Sequence, residues 1–226
     1  MSQPPTVTAP ARRPGPPRLL SRDQFADAAV AIIEREGPDA VSIRRLAAEL
    51  RIGAMTFYGY FRDKEELLDY VVERAARDLS LPANEGPWRP RLQNLMETIW
   101  LSLSEDPSVV LIRSRKPLLT PSALRASESG LQILVDAGFD IEQASGAWRL
   151  LFTYVFGYAA FSSPEAAPEV KREWAEQMGA LPGDEFPLIS AAAAQLPEWM
   201  TGKGPFEFGL ELILDGLELR LARAGH

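Results

Sequence analysis

Residues 52–64 read Ile52-Gly53-Ala54-Met55-Thr56-Phe57-Tyr58-Gly59-Tyr60-Phe61-Arg62-Asp63-Lys64, a short aromatic stretch between two runs of helix-forming residues. If Gly53 ends a turn and the next eight residues are helical, Ala54, Phe57 and Phe61 share one face at i, i+3 and i+7. Met55, Thr56, Gly59 and Tyr60 then take the other face. One face can pack while the other touches something. The outward set is small, mixed and uncharged, with Arg62 and Lys64 just beyond it, which suits a helix pressed against a large anionic surface.

The flanks frame this helix as the last of three. Ser21 with Gln24 forms a capping-box pattern, and Phe25, Ala28, Ala29, Ile32 and Ile33 make a helical stripe that Gly37-Pro38 ends. Ser42 caps a second helix with Ile43, Leu46, Ala47 and Leu50 inward and Arg44, Arg45 and Glu49 outward. A helix of about nine residues is marginal alone in water, so packing against the first helix and the 52–61 segment must hold it. Gly53 is expected to supply the unusual backbone conformation of the Arg51-Ile52-Gly53 connection. Spacing and chemistry are those of a helix-turn-helix. A fourth helix opens at Asp63, with Glu66 at the capping-box position, and carries Leu67, Leu68, Val71, Val72, Ala75 and Leu79 toward a Pro82–Pro87 linker. Residues 1–19, with six prolines and Arg12, Arg13 and Arg18, read as a disordered arm.

Composition bounds the function. A chain of 226 residues with 46% hydrophobic content can bury a sizeable core. It has no cysteine, which excludes disulfides, thiolate metal sites and cysteine nucleophiles. No apolar run is long enough to span a membrane and no signal-peptide core opens the chain, so the expected home is the cytoplasm. The net charge of −7 is unevenly spread: residues 1–66 hold 10 basic and 9 acidic residues, the remainder 14 and 22. Between Arg44 and Lys64 five basic residues face two acidic ones, so phosphate is expected to bind there. Catalysis has little material. The single histidine is the terminal His226, phosphate-cradling glycine loops are missing, and the Asp184-Glu185 pair reads as solvated loop charge. No catalytic residues, metal site or cofactor are expected.

The C-terminal region is helical by pattern. Leu92, Leu95, Met96, Ile99, Trp100 and Leu103 define one helix, Val109–Ile112 begin a shorter one ended at Pro117, and a third runs from Ser122 to Ala137 with Gly138 as its stop. The 141–161 segment, with Trp148, Leu151, Phe152, Tyr154, Val155, Phe156 and Tyr158, is apolar nearly all round and belongs in a core or an interface. The last helix, 205–222, repeats the theme with Phe206, Phe208, Leu210, Ile213, Leu214, Leu217 and Leu221. Residues 162–204 read as a variable loop around a short helix over 169–178. Gly146, Gly157, Gly209 and Gly216 interrupt the two long apolar helices and let helices approach closely. With Ile213 and Leu217, Gly157, Gly209 and Gly216 are the candidate dimer interface, a central helix pair in a monomer being the other reading. A two-fold dimer would present two recognition helices to a two-fold-related DNA site. Trp100, Leu103, Trp148, Phe152 and Phe156 are candidates for an apolar ligand pocket, with packed core as the alternative.

Ser42-Ile-Arg-Arg-Leu-Ala, Thr56-Phe-Tyr-Gly-Tyr-Phe and Lys64-Glu-Glu-Leu-Leu together resemble the N-terminal DNA-binding domain of the TetR family of bacterial transcriptional regulators. Gly138-Phe-Asp and Phe206-Glu-Phe-Gly-Leu-Glu-Leu-Ile-Leu-Asp-Gly-Leu are similar to a tetracycline-repressor-like C-terminal domain. The resemblance implies that Arg44 reaches a base edge, Arg45 lies along phosphate, Thr56, Tyr58 and Lys64 grip the backbone, and Met55 and Tyr60 meet bases. Gly59 leaves less side chain for base readout than the family usually has there. It also implies a four-helix interface between two copies and tips the aromatic cluster toward a pocket. The expected protein is all-α: an arm over 1–19, a helix-turn-helix domain over 20–66 and a helical regulatory and dimerisation domain over 67–226. It would bind a palindromic operator as a homodimer, most simply as a repressor, and be released by a small apolar or amphipathic effector. An all-helical binding protein without DNA affinity, or less readily a carboxylate-using enzyme, is the alternative.

Overall fold

The computed structural model describes residues 20–77, 79–83, 85–113, 119–161 and 166–224, so the 1–19 arm lies outside the described residues. These residues form eleven α-helices and two short 3-10 turns. The first four helices are α1 (Arg22–Glu36), α2 (Ile43–Leu50), α3 (Ala54–Phe57) and α4 (Lys64–Ala76). Ser21 caps α1 as expected: its hydroxyl accepts the Gln24 N–H and the Gln24 side chain accepts the Ser21 N–H, at 3.2 and 2.9 Å. Ser42 caps α2 through the Arg45 N–H. Phe25, Ile32, Ile33, Leu46, Phe57, Phe61, Leu67 and Val71 are fully buried, and the Phe25 ring meets Phe57 and Phe61 edge-on at 5.7 and 5.8 Å. Such edge-to-face contacts add to burial alone and hold three short helices that could not stand separately.

The larger region holds α5 (Trp88–Glu105), α6 (Pro107–Arg113), α7 (Pro121–Asp136), α8 (Ile141–Phe161), α9 (Pro168–Gly179), α10 (Pro187–Ala191) and α11 (Gly204–Ala224). Helices α5, α7 and α8 pack mutually, α11 lies against α8 and α5, and α4 reaches α6 and α7. The buried side chains from Phe25 to Leu217 form one continuous core, so α4 is buried at both ends of its apolar stripe and belongs to both parts. At the other end of α7, Gly138 (φ 111°) closes the helix: Gly138 N–H donates to Val135 O and Phe139 N–H to Leu134 O.

Of the 162–204 segment, the described residues 166–204 hold more than a loop around one helix. Its prolines start structure rather than break it: Pro168, Pro187 and Pro197 each occupy a first-turn position of α9, α10 or the 3-10 turn Leu196–Trp199, where a missing N–H costs nothing.

Candidate nucleic-acid interface and effector cavity

The recognition segment is tighter than an eight-residue helix. α3 proper is four residues, and the chain then continues through three-residue bonds: Tyr58 N–H to Met55 O, Gly59 N–H to Thr56 O and Tyr60 N–H to Phe57 O. The tighter winding turns Tyr60 inward, where it is half-buried with its ring 5.0 Å from Phe25. Tyr60, placed on the outward face by an eight-residue helix, thus packs in part on the core, and Ala54, expected inside, is exposed. Met55 (79% exposed) and Tyr58 (53% exposed) stand out with exposed Thr56 and Gly59 as one uncharged outward patch.

The turn before α3 overturns the expectation for Gly53, which takes an ordinary extended conformation (φ −71°, ψ 141°). The left-handed residue is Arg51 (φ 55°, ψ 46°), the only non-glycine with positive φ among the described residues. Arg51 N–H donates to Ala48 O and Ile52 N–H to Ala47 O, and half-buried Ile52 packs on the core. This is the Schellman closure of a helix, with arginine where glycine is usual.

Charge around the patch is sorted by pairing. Arg45 donates to Glu36 at 2.7 Å and lies 3.4 Å from Glu49, so it closes the α1–α2 corner. That hydrogen bond from Arg45 holds the Glu36 carboxyl below its usual range, against a little desolvation. Arg22 pairs with Glu66 and lies over the Phe61 and Tyr70 rings, Arg35 pairs with Glu49, Arg62 with Asp63, and Arg74 with Asp27. Arg44, Arg51 and Lys64 have no acidic partner among the described residues. At the start of α4, Asp63 accepts the Glu66 N–H, while the Glu66 carboxylate reaches back one residue further than a capping box, to the Arg62 N–H at 2.8 Å. These backbone donors keep both carboxyls ionised below the usual range. Lys64 sits at the first position of that helix.

Deeper in the molecule, a cavity of about 50 Å³ lies between Val72, Ala75, Ala76 and Leu79 of the α4 end, Ile99, Ser102 and Leu103 of α5, Val109, the α7 alanines Ala123 and Ala126, and Phe152 and Phe156. The two phenyl rings are 4.4 Å apart and form one wall. Leu103, Phe152 and Phe156 thus line this space, whereas Trp100 and Trp148 are withdrawn from it. Trp100 is stacked on Phe206 at 4.6 Å, and the Trp148 ring occupies the place where a side chain at Gly130 would stand. Gly130 is the signal that sequence reasoning missed, since a glycine inside an otherwise ordinary helix marks such a close approach.

On the outer side of α8 and α11, Gly146, Leu150, Gly157, Phe208, Leu212, Gly216 and Leu219 face away from the protomer's core. Gly146, Gly157 and Gly216 have open space where a side chain would go. Gly209 does not: Tyr154 fills that position and donates its hydroxyl to Phe206 O at 2.8 Å. Burial, and then Tyr158 nearby, push the Tyr154 phenol up to about 12. Leu217 is buried and Ile213 half-buried within the protomer, and both pack on its core.

No helix among the described residues is long and apolar enough to cross a membrane, and no group of three His, Cys, Asp or Glu there is placed to hold a metal ion.

Comparison with known proteins agrees with this geometry. The family described as bacterial regulatory proteins, tetR family, matches residues 25–71, and the tetracyclin repressor-like C-terminal domain matches residues 81–221. The chain is 31% identical to the HTH-type transcriptional repressor DrrR1 of Streptomyces coeruleorubidus, over 94% of this chain and 83% of that protein. Its structure is similar to that of apo ActR from Streptomyces coelicolor, with a TM-score of 0.73 and 26% identity over 91% of this chain and 98% of the other. It is also similar to ActR in complex with actinorhodin, with a TM-score of 0.72 and 28% identity over 92% of this chain and all of the other. Helix-turn-helix, connecting helix and helical C-terminal region are thus matched along almost the whole length, and the chain belongs to the TetR family of DNA-binding bacterial transcriptional regulators.

Proposed function

We propose that this regulator is a repressor that grips a two-fold-symmetric operator as a homodimer, with residues 20–66 on the DNA, and lets go when an uncharged or amphipathic ring compound enters the cavity under α4. The observation that carries the DNA contact is the uncharged outward patch of Met55, Thr56, Tyr58 and Gly59 set between unpaired Arg44 and Lys64. Hydroxyls of Thr56 and Tyr58 and the Lys64 ammonium suit phosphate oxygens. The exposed Arg44 guanidinium has the fork that guanine recognises, and the Met55 side chain suits a thymine methyl. The outward apolar face of α8 and α11 supports the dimer, because a stripe of Leu150, Phe208, Leu212 and Leu219 with glycines between them buries well only against a matching surface. A groove of about 700 Å³ beside it, lined by Gln143, Gly146, Leu150, Arg220 and Leu221, belongs to this face rather than to an effector site.

The coupling follows from volume. Effector sites are typically several hundred Å³, whereas the cavity beside Phe152 and Phe156 holds about 50 Å³, so an effector enters only if its walls part. One wall is α4, the helix that carries the DNA-contacting segment, and a ligand that binds only the parted arrangement shifts the spacing of the two recognition segments by its differential affinity. The mostly apolar lining fits a ring compound, as does actinorhodin binding by the similar ActR.

The experiment is selection of duplexes from a random-sequence pool by the full chain. Enrichment of a palindromic site is the result expected; no enrichment would overturn the reading.

A further inference from the structure

Two helices of this chain end in the same turn, and they fill its left-handed position differently. At the end of α7 the residue is Gly138, with the bonds Gly138 N–H to Val135 O (2.9 Å) and Phe139 N–H to Leu134 O (3.2 Å). At the end of α2 it is Arg51, with Arg51 N–H to Ala48 O (3.2 Å) and Ile52 N–H to Ala47 O (2.9 Å). A Cβ makes that conformation costly, so nothing in the turn itself calls for arginine. Nor does the rest of the fold. The Arg51 side chain is exposed and has no acidic partner among the described residues, while Arg22, Arg35, Arg45, Arg62 and Arg74 of the same region each hold a carboxylate. Arg51 is two residues before Gly53, the N-cap of α3, and so lies at the opposite end of the recognition segment from Lys64.

Resting on the DNA-binding reading above, we propose that Arg51 is a further DNA contact of this regulator, donating to a backbone phosphate beside the N-terminal end of α3. With Arg44 and Lys64 it makes three cations without an acidic partner among the described residues around the uncharged patch of Met55, Thr56 and Tyr58. A phosphate satisfies what the described residues leave open, an exposed planar donor with no acidic partner among them.

The test uses a duplex that the wild-type chain recovers from a random-sequence pool, together with a scrambled duplex of equal length. Arg51→Gly removes the charge and relieves the backbone. It is expected to weaken binding to both duplexes by a similar factor, roughly tenfold, and to make the slope of log affinity against log salt shallower by about 0.9 per protomer. Its melting temperature should equal or exceed that of the wild type, and Arg51→Lys should keep the wild-type slope. Unchanged affinity and slope in Arg51→Gly, or loss confined to the selected duplex, would overturn the phosphate contact while leaving DNA binding intact. A lower melting temperature would overturn the premise that the turn does not need arginine. Failure of the wild type to recover any duplex would instead remove the DNA-binding reading and this contact with it.

Discussion

Ser122 gives both its backbone N–H and its hydroxyl to the Glu73 carboxylate, at 2.8 and 2.7 Å, so a side chain of α4 closes the first turn of α7. The helix that follows the helix-turn-helix is thereby fastened to the C-terminal helices by a charge at a helix N-terminus. Burial works against the ionised carboxyl, but the Ser122 donors, Thr120 and Arg125 outweigh it and bring Glu73 below its usual range.

Because the folded value is depressed, the contribution of Glu73 is present above its ordinary value of 4.5 and is lost as pH falls through the lower, folded value. Glu73→Gln should cost about 1 kcal/mol in urea unfolding near neutral pH, a figure that allows for solvent screening at this partly buried site, and nothing below the carboxylate range. A wild-type-like loss of stability on acidification in Glu73→Gln would show that other groups carry it.

Two glycines are filled from within the protomer. An alanine at Gly130 would drive its Cβ into the Trp148 ring, and one at Gly209 would collide with the Tyr154 hydroxyl. Each substitution should lower unfolding stability by roughly 1–3 kcal/mol, since neither ring can move without disturbing a packed core. Gly216→Ala meets nothing within 4 Å in the protomer and should leave monomer stability equal or slightly raised. Calorimetry on the three variants separates these outcomes.

Dimer contact through the outward stripe predicts that Leu212→Glu, which replaces a 57%-exposed leucine by a charge, shifts the chain toward monomer in sedimentation. A weakening of tenfold or more is expected, as burying a leucine contributes about 1.5–3 kcal/mol and burying an unpaired carboxylate costs more. A dimer of unchanged affinity would move the interface elsewhere.

On DNA, Tyr58→Phe and Lys64→Ala should weaken all sequences alike, and Arg44→Ala should also relax preference at one base pair, by about 1–3 kcal/mol of discrimination. Arg45→Ala should change DNA affinity less than Lys64→Ala, because Glu36 and Glu49 already hold the Arg45 guanidinium. Competition binding with single-base variants of the recovered duplex reads all four.

Much of this was legible in the chain itself. Caps at Ser21, Ser42 and Asp63 and the spacing of Phe25, Ile32, Phe57 and Phe61 are local signals, and each stands where the periodicity puts it. What escaped depends on geometry that spacing does not encode. Tyr60 moved inward because the recognition segment winds more tightly than 3.6 residues per turn, a change of pitch that the same residues do not announce. Gly53 drew the turn because glycine permits left-handed backbone, yet the chain placed that conformation two residues earlier, at Arg51. Gly209 and Gly157 look alike on a helical wheel, and only the position of Tyr154 on the neighbouring helix tells that one is covered and the other open. Arg45 looked free for phosphate until the α1–α2 corner brought Glu36 to it.

The salt dependence of the wild-type chain on the recovered palindromic duplex tests the central claim most directly. Arg51 and Lys64 on each of two protomers would release counterions from phosphate, so log affinity should fall linearly with log salt with a slope of about −3.6. A slope near zero, or equal affinity for the duplex and for no particular DNA at all, would contradict a regulator that holds its operator through these residues.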